Sequence, residues 1–577
     1  MTTEIGAIGH QPIFRVDDAG VIADLDARIR LDWWVGAEDR WHRASVEHAV
    51  RQGLADDEVT VETRLRVPGG DIVARAAGAA SSGRGVCLVE IENETPVPVA
   101  VALVVQLPRP GYIEVYDDTL SIDGVPVLRA ARSVARCLVT STAEALAAGL
   151  EAGDALPPAE LALPTEGRHI ALVFPVPHTA VLRAVVTTDG GTILGAPADL
   201  PPIDAVARGW DLHVERGARV DVPDERVLRV LAASRRHVLL GSGATPDATF
   251  WDDVPPWLLP AAAVALDGWG HHTEARELLL AATGADDLTT HAARTGTEAG
   301  ALVWAWAEIL ERRPDAELLE ALAGWLTEAA IGLTRRRRGF LRRRDTGADS
   351  GWRAVGLASA ASLLSRLEDG TIGPDLVDAL PDLIDELQPE PASVALALGG
   401  RRLGGHVDVT VLDVLADRLG VDATLPAAAA ASSPTGTLGS EGRAHDPVAS
   451  VLYLVAARRA VLDEPGGTGG PVAIVPGVPS EWFGAAMEAH AVPVTGGAVA
   501  FGLRWHGERP AVLWDVDTSA PATVTAPSLD ASWSDDRPRA EALLGVTEGL
   551  RVEEAPRGPE PGQGVSIEVD DAPDSFA

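Results

Sequence analysis

Five acidic side chains stand beside tryptophans or glycines in stretches that read as loops. Asp252 and Asp253 lie between Trp251 and Trp257. Asp345 and Asp349 precede Trp352, and Glu441 lies within Gly439-Ser440-Glu441-Gly442. Carboxyls can donate or take protons in general acid–base steps and accept paired hydrogen bonds from hydroxyls. Other reactive chemistries are missing. The chain has no lysine, and all 48 of its basic residues are arginine. That removes a Schiff-base lysine, a pyridoxal-phosphate enzyme and a Walker A phosphate loop. No G-x-S-x-G marks a serine nucleophile, and no G-x-G-x-x-G follows a strand-like run. No histidine–glutamate cluster has metal-ligand spacing, and His271 and His272 read as surface or capping residues on a short join. No cofactor and no metal are therefore expected. Cys87 and Cys137 lack zinc or redox spacing and read as buried small hydrophobes.

The chain has 577 residues, enough for three or four domains. With 46% hydrophobic residues it can bury sizeable cores. Its net charge of −36 argues against nucleic acid and against an anionic membrane surface as partners. The first twenty residues lack the charged and apolar regions of a signal peptide. The longest apolar run, Val97 to Leu107, is too short to span a bilayer. A cytoplasmic protein is the expectation; its oligomeric state is left open.

Periodicity divides the chain in three. Residues 1–222 alternate with period two: Glu58–Val67, a turn at Pro68-Gly69-Gly70, then Asp71–Ala74, Val86–Glu92, Val99–Leu107, Tyr112–Tyr116 and Thr119–Ile122. Short strands at this spacing predict an antiparallel β-sandwich, interrupted by a helix over 143–152. Residues 223–465 are helical, with ten helices near 225–240, 256–267, 272–283, 296–312, 315–334, 351–368, 374–388, 391–399, 408–419 and 446–463. Period two returns in 466–555, with a hairpin formed by Val499–Trp505 and Ala511–Val516; the Pro/Gly/acid-rich tail, 556–577, reads as disordered. Long joins (241–255, 284–295, 335–350) alternate with short ones (268–271, 313–314, 369–373). In a ring of helical hairpins the long joins would gather at one end, where sites usually sit.

Particular residues then resemble a known family. Phe250-Trp251-Asp252-Asp253 leads into Pro255-Pro256-Trp257, and Ala265–Leu280 (ALDGWGHHTEARELLL) is similar to a hairpin corner of such proteins. Gly339–Trp352 precedes a helix. Pro476–Gly484 (PGVPSEWFG) and Gly502–Asp515 (GLRWHGERPAVLWD) are similar to a closing β-domain. On these residues, over about 20–550, the chain resembles the six-hairpin glycosidases, glucoamylase-like enzymes with an (α/α)6 barrel. The resemblance implies twelve helices, and ten can be placed.

It also implies roles. Splitting a sugar acetal takes two carboxyls, one to protonate the leaving oxygen and one to activate water. The resemblance takes the acid from the join before residue 351; there it is often a glutamate, and here only aspartates are available. Asp349 is favoured, because Arg342-Arg343-Arg344 would hold Asp345 ionised and leave it to substrate binding. The alternative for Asp349 is a helix N-cap. Glu441 is the implied base; otherwise it is an exposed loop carboxylate. Asp252 and Asp253 would grip sugar hydroxyls, or else cap the helix after Pro255. Trp251, Trp257 and Trp352 would offer flat faces at the mouth, while Trp304, Trp306 and Trp325 read as core. The seven arginines of Arg335–Arg344 could bind a phosphate or uronate, or form a solvated helix end. The expected function is a glycoside hydrolase acting on a carbohydrate substrate. The alternative is a non-catalytic carbohydrate-binding or assembly protein on the same scaffold.

Overall fold

A computed structural model describes residues 2–25, 28–55, 59–81, 83–158, 165–188, 197–242, 251, 254–283, 296–334, 347–367, 372–391, 393–404, 409–439, 445–465 and 470–547. Asp252, Asp253, Asp345, Glu441, the Arg335–Arg344 cluster and the tail after 555 lie outside the described residues.

Fifteen strands between Thr3 and Val186 form one hydrogen-bonded antiparallel sheet. Its spine is the long strand Val99–Tyr116. Over Ala100–Gln106 it pairs with Arg30–Gly36 on one side and Thr165–Val176 on the other. The register then shifts between Gln106 and Gly111, across Pro108 and Pro110, which cannot donate to a ladder. Beyond the shift the strand pairs with Thr119–Ile122, and the ladder continues to Val50–Leu54. The strands expected as a sandwich are thus one sheet curled on itself, because this bent strand carries the hydrogen bonding from one face to the other. Val101, Leu103, Ile91, Leu182 and Phe174 share the enclosed core.

The outer faces are covered too. Helix α1 (Ala143–Ala152) packs Leu146 and Leu150 onto Trp34, Ala102 and Val104. Helix α2 (Ile203–Val214) packs Ile203 near Ala77, Leu88 and Val185. Val99–Val105 is apolar without alternation because both sides are buried. Cys87 and Cys137 are buried and free, as expected. α2 falls where only strands were expected; its buried residues, Ile203, Ala207 and Trp210, follow helical spacing.

The helical region contains α3 (Glu225–Leu240), α4 (Leu258–Gly268), α5 (His272–Thr283), α6 (Gly296–Arg312), α7 (Ala316–Thr334), α8 (Gly347–Leu364), α9 (Ile372–Leu387), α10 (Val394–Gly399), α11 (Val411–Leu419), α12 (Leu425–Ala430) and α13 (Pro447–Val461). All ten expected helices are present, and the short α12 was not foreseen. Two kinds of helix alternate. α4 is buried all round except at Leu259, α13 except at Arg459, and α6 from Gly300 to Arg312 except at Glu311. α8 is buried from Ser350 to Leu364 except at Arg353 and Ser362. By contrast α5 buries one stripe (Ala275, Leu278, Leu279), and so does α7 (Leu319, Leu322, Leu326, Leu333). All-round burial marks an inner layer and a single stripe an outer one. Contacts run α4–α6–α8–α10–α11–α13 and return to α4.

α6 and α8 cross closely at glycines. A Cβ on Gly300 would lie 2.1 Å from the Trp352 carbonyl oxygen, and one on Gly356 would lie 2.5 Å from the Gly300 Cα. The last strands form a five-stranded and a four-stranded sheet. Arg219–Asp221 joins the first by pairing with Met487–Val494, and Leu462–Asp463, directly after α13, joins the second. One continuous buried cluster links these sheets to the helices. Among the described residues no helix is long and apolar enough to cross a membrane.

Two glycine substitutions test the layering. Gly300→Ala should destabilise the chain by about 1–3 kcal/mol or more through overpacking. Gly324→Ala, at an exposed position of α7 with open space around it, should stabilise it by about 0.5–1 kcal/mol. Urea unfolding of the two variants against wild type reads both signs.

Candidate functional site

The starts of the inner helices converge. Asp349, in the first turn of α8, accepts a hydrogen bond of 2.9 Å from Thr297 Oγ1 in the first turn of α6. Trp257, immediately before α4, stacks on Trp352 of α8 with ring centroids 6.3 Å apart. Trp352 in turn tilts against Trp304 at 5.4 Å. Ser393 and Ala395, at the start of α10, approach Gly351 so closely that a Cβ there would meet Ser393 Oγ at 2.9 Å. Trp251 Nε1 donates to Gly241 O at 2.6 Å and so ties the first long join to the end of α3.

Of the expected site residues, this end therefore gathers Asp349, Trp257 and Trp352. The expected mouth tryptophans need correction. Trp352 is 0% and Trp257 7% exposed, so their faces are filled by neighbouring rings. Inner helices that meet at Gly300 and Gly356 leave an axis that large flat side chains fill. Trp304, Trp306 and Trp325 are core, as expected. Neither Trp304 Nε1 nor Trp352 Nε1 has an acceptor among the described residues.

The join that carries Glu441 re-enters the described chain at His445. Asp446 caps α13, accepting from Val448 N at 3.0 Å, and is clamped by Arg418 through Nε at 2.6 Å and Nη2 at 2.9 Å. His445 Nδ1 lies 2.9 Å from Glu4 Oε2 on the first strand, and its Nε2 lies 3.2 Å from Ser450 Oγ. His237 of α3 packs its ring 4.2 Å from that of His445. Burial alone would raise the Glu4 carboxyl, but His445 and Arg15 outweigh it and hold the group below its usual range. Burial, aided by the neighbouring His445 and Arg236, drives His237 well below its usual value and keeps it neutral. Sequence reasoning missed Glu4, His237 and His445, because no local pattern brings the first strand to this join.

The opposite ends of the inner helices carry a buried charge network. Asp267 of α4 pairs with Arg312 of α6, and Glu308 of α6 with Arg401 beyond α10. Arg402 Nε donates to Glu308 Oε1 at 2.9 Å, and its Nη2 donates to Glu311 Oε2 at 2.9 Å. Arg459 caps α10 by donating to Ala397 O at 2.7 Å and Leu398 O at 2.5 Å. Arg458, its guanidinium pushed down to about 10 by burial, donates to Pro493 O at 2.6 Å. Burial would raise the Glu308 carboxyl, but Arg401, Arg402 and Arg312 prevail and hold it far below its ordinary value. A cavity of ≈ 280 Å³ opens beside Glu308, Arg366 and Arg402. Every carboxylate named here is matched by an arginine, the pattern of a structural lock.

No family model matches the chain, and no curated protein matches it. Solved structures similar to it include a bacterial glucoamylase complexed with acarbose, at 9% identity over 67% of this chain and 70% of that one, with a TM-score of 0.46. An α-L-rhamnosidase from Dictyoglumus thermophilum is similar at 8% identity over 75% of this chain and 57% of that one, TM-score 0.41. A GH78 family rhamnosidase of Bacillus sp. GL1 is similar at 11% identity over 76% and 52%, TM-score 0.35. The chain thus covers little more than half of each rhamnosidase.

The charge network makes a pH prediction. A carboxyl held below its usual 4.5 contributes stability that is complete above that value and is lost as pH falls toward the folded value. Glu308→Gln should cost about 3–5 kcal/mol at pH 7, because it strands buried arginines. The gap between wild type and variant should narrow steadily below pH 4.5. Unfolding midpoints measured across that range check it, and a constant gap would refute the ionic account.

Proposed function

We propose that the chain is a glycoside hydrolase acting on an oligosaccharide or glycoconjugate, with an (α/α)6 toroid over about 223–465. The β-rich segments 1–222 and 466–555 would flank it and shape its site. The observation that carries this reading is the convergence of inner-helix starts, with Asp349 on one of them and the join of Glu441 ending on another. Helix N-termini gathered at one rim supply partial positive charge, which favours anionic and polar ligand groups there.

In this reading Asp349 protonates the leaving oxygen and Glu441 activates water. Asp252, Asp253 and Asp345 hold hydroxyls, and Trp251 borders the substrate. A second reading, a carbohydrate-binding or assembly protein without catalysis, is favoured by the burial of Trp257 and Trp352, which takes two indole faces away from a sugar.

A panel of aryl glycosides and oligosaccharides separates the two. Glu441→Gln should lower turnover by about 10²–10⁴-fold while binding persists. Asp349→Asn should slow unactivated glycosides far more than aryl glycosides, whose leaving groups need little protonation. Full activity in either variant refutes its assigned role. Sugar binding without turnover in wild type supports the second reading.

A further inference from the structure

A cluster away from this rim carries a separate inference. The C-terminal turn of α2, the short join between α4 and α5, and the first turn of α5 bring His213, His271 and Glu274 together. One ligand atom from each lies within 4.8 Å of the other two. The imidazole rings of His213 and His271 are stacked almost parallel, 6° apart with centroids at 5.7 Å. His271 is 2% exposed, and its Nε2 has no hydrogen-bond partner. His213 Nε2 lies 3.1 Å from Glu274 Oε1 but makes no hydrogen bond of proper angle. Two imidazole nitrogens, neither in a hydrogen bond, thus lie in one tight group with a carboxylate oxygen.

We propose that His213, His271 and Glu274 bind one divalent transition-metal ion of the Zn²⁺ type, leaving a fourth position for water. Two imidazoles and one carboxylate form a ligand set that suits Zn²⁺, whereas Mg²⁺ and Ca²⁺ prefer oxygen. Ligand distances of about 2.0–2.2 Å put tetrahedral neighbours roughly 3.3 Å apart, so binding draws the widest pair inward by up to about 1.5 Å. The nitrogens are available as ligands. The His271 ring is buried and nothing hydrogen-bonds its Nε2, which leaves that nitrogen open to an ion. Gly217 keeps the space beside His271 open, since a Cβ there would lie 2.9 Å from Nε2.

Arg235 is the arginine that bears on His271. Its guanidinium lies over the Trp269 ring at 5.1 Å and donates to Ala218 O at 3.1 Å. His272 faces away, to Asp267, at 2.7 Å. The ion would staple α2, which covers the N-terminal sheet, to the α4–α5 corner of the helical ring. Sequence spacing could not reveal it, because two further helices separate His213 from His271.

The test uses tag-free full-length chain, stripped with chelator, dialysed against zinc chloride and measured for bound metal. Wild type should hold one zinc per chain and gain thermal stability, and Co²⁺ loading should give a visible tetrahedral spectrum. His213→Gln, at the half-buried end of α2, and Glu274→Gln should fold by circular dichroism and lose the zinc, the stabilisation and the spectrum. His271→Ala should do the same. Sub-stoichiometric zinc in wild type, or equal zinc in the variants, would overturn the proposal and leave water as the occupant.

Discussion

Several buried helices that point the same way must end somewhere, and their last carbonyls gather at one end of the helical region. That constraint governs the helical half of this protein. A helix end carries unpaired carbonyls and about half a negative charge, and neither is tolerated in an apolar interior. Arg459 answers α10 directly through Ala397 O and Leu398 O. Arg312, Arg401 and Arg402 meet Asp267, Glu308 and Glu311 at the same end. Arginine suits the task, since its planar fork stays charged when buried and binds two partners at once. A chain without lysine has no other permanent cation for this place.

Neutralising one end in this way leaves the other end different in kind. Trp304, halfway along α6, blocks the axis between them, and the small cavity of ≈ 40 Å³ below it is lined by Glu308, Arg312 and Arg458. Above it lie helix N-termini, Asp349, and the joins that carry Trp251 and end at Asp446. The curled sheet contributes here as well, because Thr3 Oγ1 meets Thr435 Oγ1 at 2.6 Å and Glu4 meets His445. The strand-rich half is therefore tied to the ring beside the join of Glu441.

Much of the framework was legible in the sequence. The ten helices follow apolar residues at i, i+3 and i+4. The hairpin Gly497–His506 with Arg509–Thr518 followed from its alternation and its turn. What stayed hidden depends on distance. Trp257 and Trp352 looked like sugar platforms because a sequence states that a residue is aromatic, not which neighbour covers its face. The Glu308 network draws on α6, the turn after α10, and α13, and no local pattern records such meetings. The seven-arginine run was conspicuous, yet the arginines that lock the ring are scattered singly or in pairs. The continuous sheet was missed because one bent strand, not a strand count, decides whether two faces share a ladder.

The most direct test of whether ligand is received at the end of the helix starts and not at the ionic end is hydrogen–deuterium exchange on the intact chain, with and without a panel of neutral and uronic oligosaccharides. At least one sugar should slow exchange in peptides spanning 254–258, 296–300 and 347–353, and leave 308–312 and 400–403 unchanged. Protection confined to 308–312 and 400–403, or no protection from any sugar, would contradict the account.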